Sequence, residues 1–186
     1  MHRREIARRV FAREFSDSNL IYKESEDQYS PQYLLTPTGA KCNRLFIIGT
    51  LLEKENISSE GTEFWRAKIA DPTGTFLIHA SQYQPDAIQS LARLNPPCFV
   101  AVVGKPTIYK TEKTENGETI VSIRPEVIQA VEEYTRDIWV FDTAKQTAER
   151  IADSNSEESL KAKQHYSCEP EQYKQMVQIA LQSLKK

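Results

Sequence analysis

RLFIIGTLLEKENISSEGTEFWRAKIADPTGTFLIHA, residues 44–80, reads as three strands joined by one open loop and one tight turn. Residues 44–52 form a nearly continuous apolar run with Gly49 inside it. Such a glycine marks a bulge or sharp bend, the device a strand uses to curve round a barrel corner. Residues 53–61 are polar and predict an exposed loop. Residues 62–70 alternate, with Trp65, Ala67 and Ile69 on one side and Phe64, Arg66 and Lys68 on the other. Asp71-Pro72-Thr73-Gly74 carries the residues a type I turn prefers. The next strand alternates again, turning Phe76, Ile78 and Ala80 inward and Thr75, Leu77 and His79 outward.

Downstream, residues 85–94 have helical spacing (Ala87, Ile88, Leu91, Leu94), and Asn95-Pro96-Pro97 ends it. Residues 98–104 predict a buried strand and residues 105–117 a polar loop, with Asn116-Gly117 as a hairpin signal. Residues 119–123 return as the last strand. Three strands, a helix and two strands within about 80 residues is the order of an OB-fold, a five-stranded Greek-key barrel. An SH3-like barrel lacks the helix, and a sandwich needs more strands. The fold class is mainly β with flanking helices.

The flanks read differently. Residues 2–15 predict a helix with Ile6, Val10 and Phe11 on one side and five arginines over much of the rest. Residues 20–43 read as an arm that lies on the barrel and adds an edge strand, giving divisions at 1–43, 44–126, 127–152 and 153–186. After Pro125 the chain reads as helical, with Tyr134, Ile138, Phe141, Ala144, Ala148 and Ile151 as one apolar stripe. Trp139 lies off that stripe and would suit an interface anchor, so Ile138, Trp139 and Phe141 are the partner-binding candidates. Residues 153–164 read as a linker, and 170–186 as a last short helix built on Tyr173, Met176, Val177, Ala180 and Leu184.

With 186 residues the chain has length for one real core. A formal net charge of −2 argues against coating duplex DNA by bulk charge, but a local groove governs single-strand binding. Cys42, Cys98 and Cys168 are far apart, and His2, His79 and His165 lack neighbours at ligand spacing. Neither a zinc site nor a disulfide framework is expected, no cofactor is implied, and a reducing cytosol is the natural compartment. No apolar run approaches a membrane span, and the charged N-terminus does not read as a secretory signal. Phosphate-cradling, nucleophile-elbow and zinc-protease motifs are missing, so no enzyme is expected.

The segments RLFIIGTLLEKE, FWRAKIADPTGTFLIHASQYQPDAI and ARRVFAREF resemble the archaeal proteins associated with replication protein A, from about residue 5 to residue 140. SIRPEVIQAVEEYTRDI is similar to the join between barrel and helix in the middle subunit of eukaryotic replication protein A. The resemblance implies an OB-fold protein in a single-stranded-DNA-binding complex of replication and repair. It also implies a helix after the barrel that packs against other subunits. The tail from Asp153 is too short for the winged helix of that middle subunit, so recruitment through such a domain is not implied.

OB-folds hold single strands across the second and third strands and the adjoining loops. The candidates there are Phe64, Arg66, Lys68 and His79, with Tyr83 in the following turn. Lys105, Tyr109, Lys110 and Lys113 are expected in the loop after the fourth strand. Cations hold phosphates and aromatics stack on bases. A solvated strand face carries the same residue types, so the set rather than any member points to nucleic acid. Trp65 shares the inward side and is expected in the core. Three readings follow: a single-stranded-DNA-binding subunit, a scaffold that binds a replication protein A subunit without nucleic acid, or a binder of structured RNA.

Overall fold

In the computed structural model, residues 5–110, 119–167 and 169–184 are described. Alternating apolar residues make five long strands: β5 (Arg44–Asn56), β6 (Phe64–Asp71), β7 (Gly74–Ser81), β8 (Cys98–Lys110) and β9 (Thr119–Ala130). Before them come β1 (Ala7–Arg8), α1 (Ala12–Ser16), β2 (Leu20–Lys23), β3 (Gln32–Leu35) and β4 (Lys41–Cys42). The helices are α2 (Pro85–Arg93) between β7 and β8, then α3 (Glu133–Ala152), α4 (Glu157–Tyr166) and α5 (Pro170–Gln182).

The long strands run in the order β5-β6-β7-β9-β8, and β8 returns to β5, which closes the barrel. The β7–β9 pairing is parallel, at Ile78–Ile123, while the other barrel pairings are antiparallel. This is the OB-fold. Leu45, Ile47, Leu51, Ala67, Ile69, Phe76, Ile78, Val100, Val102 and Ile123 fill it, and α2 adds Ala87 and Leu91 to the same core. Burying each large side chain contributes about 1.5–3 kcal/mol.

Gly49 is not a bulge. A Cβ there would lie 2.4 Å from the Ala70 carbonyl oxygen, so the residue is needed for close backbone approach, and the bulge falls between Leu51 and Glu53. The strand also outruns the expected loop: residues 53–56 remain paired with β6. Similarly, β8 continues to Lys110, which places Lys105, Tyr109 and Lys110 on a strand and not in a loop. Lys113 and Asn116-Gly117 lie outside the described residues. β9 passes Pro125 and ends at Ala130, because Pro125 stands opposite Gly104 beside a register shift, where a missing N–H is tolerated. The helix therefore begins at Glu133.

Of the expected helix over residues 2–15, residues 2–4 lie outside the described residues, and the remainder is instead β1, paired in parallel with β5, followed by the short α1. Val10, Phe11 and Ala12 are consecutive and all wholly buried, which one stripe of a helix cannot do. Tertiary burial outweighs the local spacing. Asp71 secures this segment as well as its own turn. One carboxylate oxygen accepts the Ala12 N–H at 2.7 Å, and the other accepts from Thr73 N–H, Thr73 hydroxyl and Gly74 N–H. Burial pushes its carboxyl above the ordinary range despite those donors. The arm, residues 20–43, does not add the expected edge strand: it folds into its own sheet, β2-β3-β4, and the barrel edge is taken by β1 from residues 7–8.

The largest departure is α3. Trp139 is 1% exposed, donates its indole N–H to the Phe46 carbonyl at 2.9 Å and meets Phe11 edge-on. It is core and cannot anchor a partner. Thr143 and Thr147 are buried beside Val140 and Ala144, their hydroxyls donating to carbonyls four residues back. Satisfied in this way, they form part of the buried stripe. Tyr134, Ile138 and Phe141 face outward at 74%, 44% and 56% exposure.

Much of the expected linker is α4, started by Ser156, whose side chain accepts the Ser159 N–H. The Tyr166 hydroxyl at its end accepts from Asn19 and Leu20 and donates to the Leu35 carbonyl, so the tail is fastened to the arm. Glu14, wholly buried, accepts from Thr36 and Thr38 and pairs with Arg150 of α3. α5 follows as expected, burying Tyr173, Met176, Val177 and Ala180. Among the described residues no helix is long and apolar enough to cross a membrane. No cluster of metal-ligating side chains occurs among them either.

Candidate nucleic-acid interface

The β6–β7 hairpin sets Arg66 opposite His79 and Lys68 opposite Leu77, on the outer side that strand alternation assigns them. Phe64, diagonal to His79, brings its ring to 5.7 Å from the imidazole. Tyr109 reaches His79 from β8 at 5.9 Å. Between β7 and β8 lies β9, whose residue paired with Thr107 is the small and wholly buried Ser122. Three rings from three strands thus form one cluster, with Tyr109 46% exposed. Tyr83 stands beyond the end of β7, highly exposed. Trp65 turns inward as expected and packs against the core.

The cations of this face are engaged. Arg66 pairs with Glu55 at 2.5 Å and Lys68 with Glu53 at 2.6 Å, in each case across the β5–β6 register. All four side chains are about half exposed, so these pairs are worth little to stability. The hydrogen bond from Lys68 and its charge hold the Glu53 carboxyl below the usual range. His79 is also held below its ordinary value, chiefly by burial and then by the Arg66 charge. It is therefore neutral at pH 7 in the free protein.

Of the sequence candidates, Phe64, Arg66, Lys68, His79 and Tyr109 come together, and neither arm nor helix covers the two cations. Lys110 follows Tyr109 on β8. Lys105 does not join them. It lines a separate hollow of about 730 Å³ between arm and barrel, together with Arg44 and Arg124. Sequence reasoning missed Glu53 and Glu55, because they lie where the chain read as a loop. It also missed Arg124, one residue past the end of the last strand as read from the sequence. Strict alternation past Leu51 would turn both acids inward, and only the register shift between Leu51 and Glu53 sets them opposite Lys68 and Arg66.

Chemically, the cluster offers aromatic faces for stacking and two cations that exchange one anionic partner for another. No family model matches the chain, and no curated protein matches it. Solved structures do resemble part of it. The second single-stranded DNA binding protein of Mycobacterium smegmatis is 13% identical, over 48% of this chain and 86% of that one, with a TM-score of 0.40. The mitochondrial single-stranded DNA binding protein Rim1 of S. cerevisiae is 19% identical, over 48% and 94%, at 0.38. The yeast Stn1 and Ten1 structure is 18% identical, over 65% and 61%, at 0.41. Overlaps of this size assign no ligand to this chain.

Proposed function

We propose that this protein is a single-stranded-DNA-binding accessory subunit of an archaeal replication protein A complex, acting in DNA replication and repair. The observation that carries the reading is the open Phe64–His79–Tyr109 ring cluster beside Arg66 and Lys68 on the outer barrel face. Bases stack on the rings, and each stacked base is worth about 1–3 kcal/mol. Phosphates displace Glu55 and Glu53 from the two cations, an exchange that costs little because the pairs are exposed. Neither contact reads base identity, so binding is independent of sequence.

A fluorescence-anisotropy titration on a dT oligomer tests this. The Arg66→Ala/Lys68→Ala variant binds more weakly to every sequence alike, and affinity falls steeply with salt through counterion release. Undiminished binding by that variant would remove this face from consideration.

The outward stripe Tyr134, Ile138 and Phe141 favours a second reading, a scaffold that binds a replication protein A subunit without touching nucleic acid. Under it, Ile138→Ser/Phe141→Ser abolishes pull-down of the purified subunit, and the unmodified protein alone shows no anisotropy change with dT. Binding to dT by the protein alone rejects the scaffold.

A further inference from the structure

Where β5 meets β6, opposite charges stand opposite each other, Glu55 with Arg66 and Glu53 with Lys68. Where β8 meets β9, Lys105 is paired with Arg124. Like charges directly opposite are destabilising, and nothing in a strand's hydrophobic pattern requires them. Among the described residues neither forms an ion pair. Arg44 opens β5 one residue before Leu45, which pairs with Gly104 of β8. It therefore adds a third cation at the side of that row. Its guanidinium is engaged by Glu126, yet its Nε is buried without a hydrogen-bond partner.

All three cations line the hollow between arm and barrel. Its acids are already occupied: Glu126 by Arg44, and Glu5 by the Tyr33 hydroxyl at 3.0 Å. Tyr29, 82% exposed, also lines it. The hollow lies along the same side of β8 as the aromatic cluster. Tyr109, Thr107 and Lys105 alternate along one side of β8 in regular register with β9, over about 13 Å. Tyr109 touches His79, while Thr107 and Lys105 line the hollow.

We propose that this hollow is a second phosphate-binding site, which takes the continuing single strand after it leaves the Phe64–His79–Tyr109 cluster. Lys105 and Arg124 hold its phosphodiesters, and Tyr29 offers a ring to one base. The inference rests on the single-strand reading of the barrel face and extends it from a patch to a track. An open, half-polar hollow with unpaired cations and an exposed aromatic suits a strand carrying both phosphates and bases.

The test titrates the unmodified protein and the Lys105→Ala/Arg124→Ala variant with dT oligomers of about 6 and about 18 nucleotides, spanning the OB-fold range of site sizes. Both proteins bind the short oligomer equally. The variant binds the long one at least about fivefold more weakly at low salt, and its log–log salt slope is shallower by about 1.4, for two lost phosphates. Its Tm is unchanged or raised, because a like-charge pair has been removed. Equal binding of the long oligomer by both proteins overturns the proposal, as does equal weakening on both lengths, which would place these cations at the primary face. A lowered Tm overturns it as well, since the cations would then be held by the fold itself. If the unmodified protein binds neither length, the single-strand reading itself fails, which is distinct from loss of the length effect alone.

Discussion

The outer surfaces of β5–β6 and β8–β9 treat charge in opposite ways. On the first, each cation faces an acid of the neighbouring strand and the surface is close to neutral. On the second, Lys105 faces Arg124, and neither is neutralised by an ion pair among the described residues. Cross-strand neighbours are close enough for either arrangement to matter. The difference teaches that a count of surface cations says little about a nucleic-acid face. What stands across the ladder decides whether a cation is available at once or must first be released. Aromatic rings carry no such constraint, so under the proposed function they are the principal source of affinity on the near-neutral face.

The sharpest way to break this comparison is Tyr109→Ala. The substitution opens the ring cluster where it is most exposed, and affinity for a dT oligomer falls by about 1–3 kcal/mol, roughly 5- to 150-fold, by anisotropy. An unchanged affinity would mean that charge, and not stacking, governs the face. A smaller effect of opposite sign comes from the acids. Glu53→Gln with Glu55→Gln releases Lys68 and Arg66, so binding tightens a few-fold at low salt and the salt slope steepens by about 1.4. Weaker binding by this variant would show that the acids order the cations for the strand instead of competing with it.

The smallest effect is in pH. Burial and Arg66 keep the His79 imidazole below its ordinary value in the free protein. A bound phosphate stabilises the protonated form and raises it, so binding takes up a proton. Affinity therefore rises modestly as pH falls through the value of the bound state and levels off below that of the free state. As pH falls below about 6.5 the ligand-free fold loses stability, because the unfolded chain binds the proton more readily than the native one. Titrations from pH 7.5 to 5.5 check the first expectation, melting curves the second, and His79→Gln flattens both.

The barrel was legible because its information is local. Alternation in residues 62–80, the Asp-Pro-Thr-Gly turn and the helix before Pro96 each identify an element without reference to the rest of the chain. The Phe64–Arg66–Lys68–His79 side of the hairpin was legible for the same reason. Elements that end where polarity begins were read too short. Glu53 and Glu55 stay on β5, and Tyr109 stays on β8, because a strand continues into polar residues as long as one neighbouring strand keeps pairing with it, here β6 and β9. The α3 stripe was read from hydrophobicity, which counts Thr143 and Thr147 as polar. Their hydroxyls are satisfied within the helix, so the side carrying Trp139, Val140 and Ala144 is the one that packs.

Strand order, the turn, the capping helix and the residues of the β6–β7 face follow from the amino-acid sequence, because period and turn chemistry act over a few residues. Closure of the barrel, the joining of arm and α3 through Glu14 and Arg150, the burial of Trp139 and the charge standing opposite each cation were settled by the folded chain. Those depend on which distant segments meet, and burial against such a segment outweighs the spacing of any single stretch.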